Sequence, residues 1–66
     1  MKTAPTQIRE WLDEEGRKRV WLASKIEVDQ ATLWRWLSDG AIPMREHRVK
    51  LADVTGLDVA NEEAWL

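Results

Sequence analysis

The sequence predicts an all-α fold, a compact bundle of about five short helices. Three observations predict it. Apolar residues recur at i, i+3 and i+4 along most of the chain, glycines and capping residues punctuate those runs, and no segment alternates in the manner of a strand. At 66 residues the chain holds one core and no second, because a chain this short buries only about 60% of its extended surface on folding. A single domain over 1–66 is expected. The absence of Cys removes disulfides, thiolate zinc sites and thiol nucleophiles together, so apolar packing must hold the domain.

Each element has its own signals. Ile8, Trp11 and Leu12 share one helical face, Pro5 suits a first turn, and Gly16 offers a left-handed stop, which predicts a helix over about 5–15 with Thr3 and Thr6 competing as its cap. Leu22, Ala23 and Ile26 predict a second helix over about 18–26, too short to be stable alone. Glu27-Val28 interrupts it. Asp29 is a good N-cap for a third helix with Leu33, Trp36 and Leu37 on its apolar side, ending at Gly40. Pro43 opens a fourth pattern, with Met44, His47, Leu51 and Val54 near one stripe and Thr55-Gly56 closing it. Residues 57–66 offer one more short turn from Asn61, with Val59, Trp65 and Leu66 as apolar contacts.

Charge is segregated beneath a net charge of −2. Residues 17–50 carry eight Lys/Arg against four Asp/Glu, a net of +4, while residues 1–16 stand at −2 and residues 51–66 at −4. A basic middle between acidic ends points toward a polyanion that meets the middle alone. The aromatic content is five Trp with no Phe or Tyr; Trp11 and Trp36 fall on apolar stripes and are expected in the core. Trp34 lies about 100° round the helix from Leu33 and is expected to be exposed. Trp21 suits either the core edge or a partner surface.

Catalysis finds no support. His47 is the only histidine and has no Cys or second His beside it, which makes it a poor metal ligand and an unsupported base. Ser24 and Ser38 lack an activating neighbour, and there is no glycine-rich phosphate loop. Asp13-Glu14-Glu15 reads as a solvated helix end rather than a chelate. No enzyme activity, cofactor, metal or small-molecule substrate is expected. The longest apolar run, Val20-Trp21-Leu22-Ala23, is far too short for a membrane span or signal peptide, so a cytoplasmic location is expected.

Two short helices joined by a tight turn, with a basic approach and a polar second helix, are the ingredients of a helix-turn-helix. The stretch from Arg19 to Gly40 resembles the motif of the phage Cro/repressor type, the lambda-repressor-like family. Leu22-Ala23, Val28, Leu33, Arg35-Trp36 and Gly40 carry the resemblance, which Ile42-Pro43 and Val54-Thr55-Gly56 extend over about 16–56. One departure is Glu27, where the family usually has Gly. The resemblance implies a transcriptional regulator, phage- or prophage-derived, that binds palindromic double-stranded operator DNA as a homodimer and sets its third helix in the major groove.

Gln30, Ala31, Trp34, Arg35 and Ser38 would then face the bases, Gln30 as the foremost reader through adenine N6 and N7. Arg17, Lys18, Arg19, Arg45 and Arg48 would meet phosphates and fix position without reading sequence. The dimer interface is expected in the 57–66 tail at Val59, Trp65 and Leu66, which are otherwise oddly apolar for a chain end. Rivals within DNA binding are an antitoxin repressing its own operon and an excisionase-like architectural factor. Outside it, the rival is a protein-interaction module anchored by Trp21 and Trp34.

Overall fold

A computed structural model describes residues 2–66. Its four α-helices are α1 (Ala4–Glu15), α2 (Arg19–Lys25), α3 (Gln30–Ser38) and α4 (Arg45–Thr55), and a 3₁₀ turn over Glu62–Trp65 closes the chain. No strand occurs among the described residues. The all-α expectation holds, with the fifth helical element reduced to that single turn.

The local signals act through their backbone groups. Thr3 takes the N-cap position of α1 in extended conformation and Pro5 lies in the first turn, where its missing N–H leaves nothing unpaired. Gly16 ends α1 at φ 67°, which lets its own N–H bond to Asp13 O and the next N–H bond to Leu12 O at 2.9 Å. Asp29 caps α3 through Oδ1, which accepts from the Thr32 N–H at 2.7 Å. Thr32, through its side-chain hydroxyl first and its backbone N–H second, holds the Asp29 carboxyl below its ordinary value of 3.8. A depressed carboxyl contributes stability above its ordinary pKa and loses it as pH falls through the lower folded value. Thermal melts at stepped pH should therefore show an acid-side loss that begins below pH about 4 and is smaller in Asp29→Ala, which should also melt lower at neutral pH.

The core is one cluster drawn from every element. Ile8 and Leu12 of α1, Leu22 and Ala23 of α2, Leu33, Trp36 and Leu37 of α3 and Leu51 of α4 meet Ile26, Val59 and Trp65 in it. Helix α3 is central, packing on both α1 and α2, while α1 also packs on the closing turn. Ala23 is buried, as expected of a small side chain where two helices cross closely. His47 of α4 lies over Trp36, ring centroids 5.1 Å apart. Trp11 is only half-buried and stacks on Trp21 at 6.1 Å, bridging α1 and α2.

Three sequence expectations change. Met44 caps α4 from outside the helix and is exposed, because buried Pro43 anchors the chain one residue earlier. Val59 is 0% exposed and Trp65 6%, with the indole N–H donating to Val59 O at 2.9 Å. Both side chains are packed into the chain's own core, which leaves almost no free surface for a second copy. Of the three expected interface residues only Leu66 is exposed, at 79%.

Glu27 adopts the left-handed region at φ 61°, turning the chain between α2 and α3. That conformation costs a non-glycine residue about 1–2 kcal/mol. Its carboxylate pairs with Lys50 at 3.5 Å, but both groups are solvated, and such pairs contribute little. Glu27→Gly should therefore stabilise the domain, by about 0.5–1 kcal/mol after the extra chain entropy of glycine is subtracted. The check is the midpoint of thermal unfolding, expected to rise by about 4 °C; a fall would mean the Lys50 pair outweighs the backbone strain.

Candidate nucleic-acid interface

Helix α3 buries Leu33, Trp36 and Leu37 on one side. At 100° per residue the opposite side consists of Ala31, Arg35 and Ser38 with Trp34 on its flank, while Gln30 stands in line with buried Leu37 and is exposed because it is the first residue of the helix. All five are exposed, and Trp34 keeps 51% of its surface in solvent. An exposed indole in mid-helix is surface the fold does not use.

The cations around this face are unequal. Arg19, at the start of α2, donates from its guanidinium to Ser38 Oγ at 3.2 Å, tying the first residue of α2 to the last residue of α3. Arg17 lies with its guanidinium carbon 4.5 Å from the centre of the Trp21 ring, and Lys25 Nζ approaches the same ring at 5.7 Å. These are cation–π contacts, and they hold Arg17 beside α2. The Lys18 side chain is exposed and makes no hydrogen bond or ion pair among the described residues. Arg35 is exposed in the last turn of α3, where a cation also complements the helix dipole.

Arg48 differs from its expected role. Its Nε donates to Ala60 O at 2.9 Å and its Nη1 to Pro43 O at 2.7 Å, so the guanidinium clasps the start of α4 to the tail and is half-buried. A cation spent on two carbonyls is not presented to a phosphate. Arg45 lies on a groove with Val49 and Glu62, apart from the α3 face. The structure thus brings Gln30, Ala31, Trp34, Arg35 and Ser38 together with Arg19, and leaves Arg45 and Arg48 with the tail.

Sequence reasoning missed Arg9. From α1 its guanidinium donates to Leu37 O and reaches Thr6 Oγ1 at 3.3 Å. It satisfies a carbonyl that the end of α3 leaves without an intrahelical partner, and so braces the exposed helix from behind. The only signal was a lone arginine in an otherwise acidic α1, which spacing alone does not pair with a helix end 28 residues later.

Among the described residues no group of His, Asp and Glu could hold a metal ion, and no helix is long and apolar enough to cross a membrane. No family model, curated protein or solved structure matches the chain.

Proposed function

We propose that the chain is a sequence-specific DNA-binding regulator that lays α3 in the major groove of a palindromic operator and acts as a homodimer of the Cro/repressor type. The observation that carries this reading is α3 itself, where Ala31, Trp34, Arg35 and Ser38 are exposed on the outward face and Gln30 is exposed at the N-terminal end, on a helix that the core grips from two sides. A rigid rod with a polar, cationic outer side matches the groove in width and charge. Gln30 at the N-terminal end has the amide geometry to bond adenine, and Arg35 has that of guanine or of a phosphate. Lys18 and Arg19 flank α3 as phosphate ligands, and Arg17 is drawn back toward Trp21.

Fluorescence anisotropy on a duplex library at two salt concentrations tests the reading. Binding should weaken with a log–log slope of about −0.9 per phosphate contact and should favour a subset of sequences. Binding that is absent or indifferent to salt would overturn it. One observation favours a second reading: exposed Trp34 is also what a protein-docking helix would present. Trp34→Ala separates the two, because a Trp-anchored protein contact would be lost while salt-dependent DNA binding would survive in weakened form.

A further inference from the structure

We infer that Trp34 recognises a thymine, packing its indole on the C5-methyl group and donating its Nε1–H to the O4 beside it, so that the preferred duplex carries that thymine in each half-site. This deepens the proposed function and rests on it, since α3 must lie in the major groove for Trp34 to meet a base edge. The chain has five tryptophans, and the fold itself employs the other four. Trp11 and Trp21 stack on each other, Trp36 lies against His47, and Trp65 donates to Val59 O. Trp34 has no ring partner and no side-chain hydrogen bond among the described residues, and 51% of its surface is in solvent. The exposed residues one turn away, Gln30, Ala31 and Ser38, leave the ring uncovered.

The chemistry of the ring selects the base. An indole offers one donor, no acceptor and a broad apolar surface. In the major groove cytosine presents an amino donor, adenine an amino donor beside N7, guanine the acceptors N7 and O6, and thymine the acceptor O4 beside a methyl group. The amino groups of cytosine and adenine find nothing on Trp34 to donate to, so covering them with the ring strands a donor. Guanine accepts the N–H but sets a second acceptor against the apolar surface. Thymine answers both parts of the side chain, and its methyl group covers apolar surface that the fold leaves in water. Trp34 stands one turn further along α3 than Gln30, so its thymine lies in the same half-site as the base pair that Gln30 reads.

Anisotropy at the lower salt concentration, on the duplex selected from the library, tests this with each thymine changed in turn to deoxyuridine. That change removes the methyl group and keeps every hydrogen-bonding group. One thymine per half-site is expected to lose about fourfold in affinity, the worth of one buried methyl-sized group. The loss should vanish in Trp34→Ala and persist in Gln30→Ala and in Trp34→Phe, which keeps the apolar contact without the N–H. Cytosine at that position should weaken binding, and 5-methylcytosine should recover about fourfold of the loss. Because Trp34 is exposed, both of its variants should keep the helical circular dichroism spectrum of the parent. A preferred duplex in which no deoxyuridine penalty depends on Trp34, or in which 5-methylcytosine does no better than cytosine, would overturn the inference and leave the regulator reading standing. A chain that binds no duplex, or all duplexes alike, would overturn the regulator reading and this inference with it.

Discussion

Trp65→Ala is expected to cost about 3–5 kcal/mol, against a total stability of about 3–10 kcal/mol for a domain of this length, and so to leave much of the population unfolded at room temperature. The side chain is 6% exposed, belongs to the cluster shared with α1 and α3, and donates its indole N–H to Val59 O. Truncation therefore opens a cavity and strands a buried carbonyl at once. Urea unfolding followed by circular dichroism checks the cost. The midpoint should fall steeply in Trp65→Ala, whereas Leu66→Ala, one residue on and exposed, should stay within about 0.5 kcal/mol of the parent. If Trp65 instead served a partner, its removal would change the dependence of the midpoint on protein concentration and leave the isolated chain's stability nearly intact.

The contrast between those neighbours shows where sequence reading reaches its limit. In α3, Leu33, Trp36 and Leu37 recur at helical spacing, so their shared burial was legible, and Asp29 stood three residues before the N–H it caps. The same held for Gly16 and Gly56, which end α1 and α4 in the left-handed conformation. In residues 57–66 there is no period to read. An apolar residue in such a tail looks the same whether it will fold back on its own core or wait for another copy, and only the closing turn decides that Val59 and Trp65 fold back. Glu27 was only half legible: the resemblance left open whether it would bear a left-handed strain or alter the turn, and its φ of 61° decides for the strain.

Cations posed a second ambiguity. Arginines near a helix start have the composition of phosphate ligands, and Arg17, Lys18, Arg19, Arg45 and Arg48 looked alike. Their partners separate them: a Trp ring for Arg17, the Ser38 hydroxyl for Arg19, two carbonyls for Arg48. Ser38 and Ala60 lie on other parts of the fold, 19 and 12 residues from their arginines, at separations that no local pattern encodes, whereas Trp21 is only four residues from Arg17. Replacing the whole basic triplet would therefore mix three effects, the loss of a stacked cation, of an interhelical hydrogen bond and of an unattached charge.

Single substitutions at Gln30 and Lys18 avoid that mixture and should differ in kind. Gln30 is exposed at the first turn of α3 and makes no side-chain hydrogen bond among the described residues, so Gln30→Ala should leave the fold untouched. On DNA it should cost about 1–3 kcal/mol on the preferred sequence, a loss of about 5- to 150-fold in affinity, and should flatten the preference at one base pair of each half-site. Its salt dependence should not change. Lys18→Ala should do the reverse, weakening all duplexes alike and making the log–log salt slope shallower by about 0.9 per half-site while the ranking of sequences stays the same. Anisotropy titrations of both variants on the selected duplex and on single-base changes of it, at two salt concentrations, resolve the four quantities. A Gln30→Ala variant that weakens every duplex equally would mean that α3 does not present its N-terminal end to base edges. The groove reading would then fall even if the charge-driven binding survived.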